Sequence, residues 1–113
     1  WDNFNNKSFK SIELILENNN FKAFDVYNFP NPFNPETQIR FSIGGQDDVK
    51  LVIYDLIGHQ VRTLIDGDIY NAGFHAVHWN GLDNNGQKVP SGMYIYRIKA
   101  GDFMADKKML LLK

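Results

Sequence analysis

From Phe21 onward, short apolar segments alternate with clusters of turn-forming residues at a spacing of roughly 8–12 residues. Within the segments, apolar and polar side chains alternate, as in residues 37–43, where every second side chain is apolar. This period of two is typical of a strand with one buried face, and no segment carries the period of a long helix. The pattern predicts an all-β fold, an antiparallel β-sandwich of about seven strands.

The segments expected to be strands are residues 11–16, 37–43, 49–54, 61–65, 74–79, 93–100 and 103–112. Residues 49–54 are apolar on both faces, which suits a central strand, and together with 61–65 they predict a hairpin. Residues 66–68 (DGD) are expected to open a loop. Residues 28–35 contain three prolines. Because proline lacks an N–H donor, we expect an extended lead-in there and not a central strand.

Composition excludes several classes of protein. The 113 residues have the length of one domain, and 12 basic against 13 acidic side chains give a net charge of -1. A protein that binds nucleic acid through its phosphates normally carries a basic stripe, so we expect no nucleic-acid partner. The chain has no cysteine, which excludes disulfides and thiolate metal sites. No apolar run is long enough to span a bilayer.

Candidate metal ligands are few. His75 and His78 fall on opposite faces of a strand, so they do not form a pair of ligands, and His59 follows a glycine in a turn. We expect His75 to be a partly buried, hydrogen-bonding histidine and His59 to be solvated. Residues 83–86 (DNNG) suggest calcium, but their surroundings do not match an EF-hand loop, so a hairpin turn is the better interpretation.

The sequence contains no motif typical of an enzyme. Ser91 does not stand in a nucleophile elbow, and no glycine-rich phosphate loop is present. Aromatic side chains that could stack on sugars fall mostly on the expected core face; they are Phe41, Tyr54, Trp79, Tyr94 and Tyr96. We therefore expect no catalytic residue and no cofactor, and we interpret these rings as core.

Five segments, in this order, resemble the C-terminal sorting domains of type IX secretion cargo in Bacteroidetes and related bacteria. They are residues 31–37 (NPFNPET), 52–64 (VIYDLIGHQVRTL), 72–81 (AGFHAVHWNG), 91–96 (SGMYIY) and 107–113 (KKMLLLK). The same motifs are similar to the Ig-like domain of the flagellar hook-capping protein. His59 and Asn80 depart from the pattern, which usually has Arg and Asp there.

The resemblance implies an Ig-like β-sandwich over residues 24–113, acting as a C-terminal sorting domain. It implies a larger precursor whose upstream cargo domain is exported through the periplasm to the surface or medium. The partners it implies are the type IX secretion machinery and its sortase-like transpeptidase. Residues 1–23 are expected to be a linker or an additional strand. Because the chain begins at Trp1, we interpret it as a piece of a longer precursor or as a processed product.

For partner recognition we single out the basic ending and the segment that resembles the S-G-x-Y motif. The residues are Ser91, Gly92, Met93, Tyr94, Lys107, Lys108 and Lys113. The alternative is a structural module retained on a surface protein, adhesin or filament. In that case residues 11–16 (SIELIL) pair with a sheet edge of this chain or of a neighbouring copy. A sugar-binding module needs aromatics on an exposed face and is the least favoured hypothesis.

Overall fold

The computed structural model describes residues 24–113, and this part of the chain forms seven β-strands in two antiparallel sheets. The strands are β1 (Phe24–Phe29), β2 (Thr37–Ile43), β3 (Asp47–Tyr54), β4 (Gln60–Tyr70), β5 (Gly73–Trp79), β6 (Gly92–Ala100) and β7 (Phe103–Leu111). One sheet has the order β1-β2-β5, and the other has the order β4-β3-β6-β7. The predicted all-β antiparallel sandwich of about seven strands is confirmed.

The first strand was not predicted. The segment expected as a strand at 11–16 lies outside the described residues. The strand that brings the number to seven is instead β1, which the sequence pattern did not assign. In β1, Val26 and Asn28 are buried, whereas Tyr27 and Phe29 are 48% and 59% exposed. Aromatic side chains on the solvent side hide the alternation by which the sequence pattern recognises a strand.

The core lies between the two inner faces. In β2, the buried positions alternate with half-buried ones from Thr37 to Ile43, as the sequence predicted. Together the sheets bury one cluster of large side chains, whose fully enclosed members include Ile39, Leu51, Ile53, Trp79, Tyr96, Ile98, Met109 and Leu111. Each such side chain contributes roughly 1.5–3 kcal/mol when it leaves water, so this layer supplies most of the driving force for folding.

Strand β3 is central, between β4 and β6, as its doubly apolar sequence predicted. The β3–β4 hairpin is also confirmed, but the loop expected at 66–68 is wrong because β4 continues to Tyr70. Val49 pairs with Asp68 and Lys50 with Asp66, so Gly67, at φ 84°, is the extra residue of a β-bulge. The Asp-Gly-Asp sequence encodes this bulge and not a chain reversal.

The edges of the two sheets differ. Strand β4 carries three register shifts against β3. At the opposite edge of that sheet, alternation places Lys107 of β7 on the inner side with Met109 and Leu111. Bulges and inward-pointing charges are common ways of blocking strand addition. By contrast, β1 and β5 pair with β2 without a register shift, so both edges of the three-stranded sheet are regular.

The proline-rich stretch is an extended lead-in to β2, as predicted, and it crosses to the other sheet. Phe33 N–H donates to Leu110 O at 3.0 Å, and Leu112 N–H donates to Phe33 O at 2.9 Å. The Phe33 ring is 2% exposed, and its centroid lies 5.7 Å from that of Trp79. These contacts tie the lead-in to the end of β7.

We predict that Phe33→Ala lowers the free energy of unfolding by about 3 kcal/mol, because it leaves a cavity under the end of β7. Urea denaturation of the 113-residue chain measures this loss. The matched control is Phe74→Ala, whose side chain is 91% exposed and whose loss is expected to be negligible. Equal stabilities for the two variants would contradict the role given to the lead-in.

Candidate recognition surface

The two segments singled out for partner recognition lie side by side. In the β6–β7 ladder Gly92 pairs with Leu111, Met93 with Leu110, and Tyr94 with Met109. Residues 91–94 and 109–113 therefore form one end of the edge strand pair. Met93 is 36% exposed and Leu112 49% exposed, so this end presents apolar side chains to solvent.

The last residues are held from two sides. Lys113 N–H donates to Ser91 Oγ at 3.1 Å, and the Lys113 ammonium group donates to the carbonyl oxygen of Val89. On the other side, Leu110 N–H donates to Asn31 Oδ1 at 3.1 Å, next to the pairing with Phe33. The fold thus brings Ser91 and Lys113 into direct contact with each other.

The structure separates the two consecutive lysines. Lys107 is paired with Tyr96 and Lys108 with Ile95, and alternation places them on opposite faces of β7. Both side chains are exposed. A partner lying flat on the outer face of the four-stranded sheet reaches Lys108, whereas Lys107 lies on the inner side of the β7 edge.

Tyr94 supports the site from below. Its ring is 5% exposed and packs edge-on against Trp79 at 5.7 Å, and its hydroxyl donates to Pro90 O at 2.6 Å. Burial, with a smaller contribution from the negative charge of Asp55, raises the pKa of Tyr94. The tyrosine therefore stays neutral and fixes the turn that carries Ser91.

The DNNG segment is a hairpin turn, as predicted. Asp83 Oδ1 accepts hydrogen bonds from the N–H groups of Asn85 and Gln87, both at 2.9 Å, and Leu82 forms an isolated bridge with Lys88. One oxygen of the carboxylate is thus occupied by backbone donors. Across residues 24–113, no cluster of three or more His, Cys, Asp or Glu side chains has the arrangement needed to hold a metal ion.

The histidines take the positions that alternation predicts. His75 is half-buried, and its Nε2 lies 2.7 Å from Asn71 O. On the opposite face, His78 Nε2 lies 2.9 Å from Glu36 Oε1. His59 is exposed, as expected for a turn residue. These contacts give His75 and His78 local structural roles.

Sequence reasoning missed an aromatic surface on the outer face of the three-stranded sheet. The rings that the sequence placed in the core are indeed buried in the core, except that of Tyr54, which is half-buried. The exposed rings are instead Tyr27 and Phe29 of β1 and Phe74 of β5. Recognising β1 as a strand would have predicted the first two, because alternation then forces them to face solvent.

A buried polar cluster fastens β1 to the other sheet. Tyr96 O–H donates to Asn28 Oδ1 at 3.3 Å, and Asn28 Nδ2 donates to Thr37 Oγ1 at 3.3 Å. Thr37 O–H in turn donates to Pro30 O at 2.8 Å. Burial, with a smaller contribution from the charge of Asp25, raises the pKa of Tyr96 to about 12.

The two antiparallel sheets form a β-sandwich of the Ig-like class. The sequence model of the FlgD Ig-like domain matches residues 35–102, more than half of the chain. The chain therefore belongs to the FlgD Ig-like domain family, which confirms the resemblance seen in the motifs.

Two solved structures have a similar fold. Dimeric latent PorU from Porphyromonas gingivalis superposes with a TM-score of 0.69 at 21% identity, covering 87% of this chain and 10% of PorU. PorZ, an essential bacterial surface component of the type IX secretion system of the same organism, superposes with a TM-score of 0.53 at 20% identity. That match covers 78% of this chain and 11% of PorZ.

The chain thus spans about a tenth of the length of each of these two proteins. A comparison with curated protein sequences gave no significant match. Within residues 24–113, no helix has the length and apolar character needed to cross a membrane.

We predict that Gly81→Ala is more destabilising than Gly86→Ala. Both glycines have positive φ, 79° and 80°, so both substitutions carry the same backbone strain, about 1 kcal/mol. Only at Gly81 would the added Cβ meet a neighbour, the carbonyl oxygen of Pro35 at 3.0 Å. Urea denaturation of the two variants isolates this contact between the lead-in and the turn, and equal losses would contradict it.

We also predict an alkaline loss of stability that depends on Tyr96. The fold raises the pKa of Tyr96 from 10.0 to about 12. The contribution of the neutral Tyr96 hydroxyl to the free energy of unfolding is therefore complete below pH 10 and is lost as the pH rises towards 12. Tyr96→Phe removes this contribution to the alkaline loss and costs about 1 kcal/mol at neutral pH. Denaturation across this pH range measures both effects, and the exposed Tyr27→Phe is the control expected to change neither.

Proposed function

We propose that this domain is the non-catalytic C-terminal sorting domain of a larger secreted bacterial protein. The type IX secretion machinery recognises it for translocation across the outer membrane, and the sortase-like transpeptidase of that system acts on the precursor. The cargo is then secreted or attached at the cell surface after passage through the periplasm.

The observation that carries this proposal is the pairing of two motif segments at one end of the sandwich. Residues 91–96 and 107–113 are adjacent, since the ladder runs from Gly92 with Leu111 to Tyr96 with Lys107, and Lys113 contacts both Ser91 and Val89. A partner that reads the ending therefore also meets the turn beside it. The fold likeness to PorZ, described as a surface component of the type IX system, supports the same assignment.

A binding role also agrees with the chemistry of the side chains present. In the described region, the hydroxyl of Ser91 accepts a backbone N–H, and the hydroxyl of Tyr94 donates to a carbonyl. Neither side chain is paired with a base that would activate it as a nucleophile. The surface is suited to recognition through lysine charges and exposed apolar groups.

Export of a reporter fused to this domain, in a host with a type IX system, tests the proposal. We expect Lys107→Glu with Lys108→Glu to reduce surface or medium reporter at least about tenfold, because the charge presented to the partner is reversed. The matched control is Lys50→Glu with Lys99→Glu, two exposed lysines that face each other on β3 and β6, away from the ending. It changes the net charge equally and should export normally.

Circular dichroism and urea denaturation of both double variants establish that they fold. Unimpaired export of the folded Lys107 and Lys108 variant would overturn recognition through these lysines. The single variants then assign the face, since Lys107 and Lys108 point to opposite sides of β7.

A second candidate is a structural module retained on a surface protein, adhesin or extracellular filament. The observation in its favour is the pair of regular edges of the three-stranded sheet, at β1 and β5. Such edges accept an added strand, and residues 11–16 have the apolar sequence for it.

Two measurements separate the candidates. If residues 1–20 drive pairing between copies, their deletion abolishes a dimer or larger species in size-exclusion chromatography with light scattering. Mass spectrometry of the surface and medium fractions then compares peptides from 37–113 with those of the upstream cargo. Depletion of the 37–113 peptides supports a cleaved sorting signal, and equal abundance supports retention.

A further inference from the structure

A groove crosses the outer face of the three-stranded sheet, on the side away from the recognition surface. Its volume is about 290 Å³, and residues of β1, β2 and β5 all contribute to its lining. This volume is close to the lower limit for small-ligand sites in proteins, so the groove accommodates a ligand of one or two rings.

The lining of the groove combines two small residues, Ser42 and Ala76, with the Arg40 side chain and the rings of Tyr27 and Phe74. Register places Tyr27, Arg40 and Ala76 in one row across the sheet, and Ser42 and Phe74 in the next. The backbones of β1 and β5 are separated by two strand spacings, about 9.5 Å. Tyr27 and Phe74 stand in neighbouring rows on the two outer strands, so their rings border the groove diagonally across β2.

Polar groups border the same space. The Arg40 guanidinium lies over the Phe29 ring, 5.5 Å from the ring centroid. Arg40 also donates its Nε–H and Nη2–H to Gln38 Oε1, at 3.2 and 3.0 Å. Arg40 is therefore positioned before a ligand arrives, with further N–H groups to donate. The Asp25 carboxylate and the Ser42 hydroxyl line the groove as acceptors.

We propose that this groove binds a neutral carbohydrate chain. Its aromatic sides match the apolar C–H faces of a sugar ring, and its donors and acceptors match the hydroxyl groups at the ring edge. Arg40 and Asp25 balance in charge, so the lining does not favour a polyanion such as a nucleic acid or an anionic membrane.

A chain can occupy the groove because the groove reaches both edges of its sheet. It is lined by β1 at one edge and β5 at the other, so further sugar units can continue beyond the bound ring. Phe74, at 91% exposed, stands at the β5 edge, where a ring continuing outward would stack on it. This proposal is independent of the export role.

Two-dimensional ¹H–¹⁵N NMR titration of the 113-residue chain tests it, with cellohexaose, laminarihexaose, mannohexaose and N-acetylchitohexaose as probes. We expect saturable shifts from at least one of them, confined to the amides of β1, β2 and β5. Phe74→Ala should weaken that binding about tenfold, as expected when one ring contact is lost. Arg40→Gln should weaken it as well.

Ile57→Ala is the control, because its side chain is 78% exposed and lies outside the groove. This variant should bind like the unchanged chain. The proposal is overturned if none of the four oligosaccharides shifts these amides, or if Phe74→Ala binds as tightly as the unchanged chain. It is equally overturned if adenosine, a flat aromatic probe, shifts them and the sugars do not.

Discussion

The contact between the lead-in and the last strand fixes the position of one sheet relative to the other. Phe33 pairs with the backbone at the end of β7 and inserts its ring beside Trp79. Trp79 in turn packs against Tyr94 and donates its indole N–H to Leu82 O at 2.9 Å. One buried aromatic chain therefore connects the lead-in, the end of β5 and the start of β6, and it lies beneath the proposed recognition surface.

The sequence predicted the sandwich well where one face of a strand is apolar and the other polar. Residues 37–43 matched β2 from end to end, because Ile39, Phe41 and Ile43 alternate with polar neighbours. Strand β1 was not predicted, because Tyr27 and Phe29 are aromatic but face solvent. The sequence predicted too early an end for β4, because Gly67 is a residue typical of turns. Whether such a glycine forms a turn or a bulge depends on the partner strand.

The recognition residues illustrate the same limit. Sequence motifs singled out Ser91 and Lys113, and the fold places them in contact although they are 22 residues apart. The motif Lys107-Lys108 looks like one basic patch in the sequence, but strand geometry divides it between two faces. The outer aromatic face could not be predicted, because it joins rings from β1 and β5, which become neighbours only through their common pairing with β2.

The tie between Asn31 and Leu110, 79 residues apart, has a consequence for the timing of folding. A chain that emerges from a ribosome or a membrane pore, amino end first, lacks the partner for its lead-in until residues 110–112 are free. Closure of the sandwich must therefore await release of the whole domain, because contacts of long sequence separation are made late. A folded domain of this type thus reports that synthesis or passage has proceeded beyond Leu112.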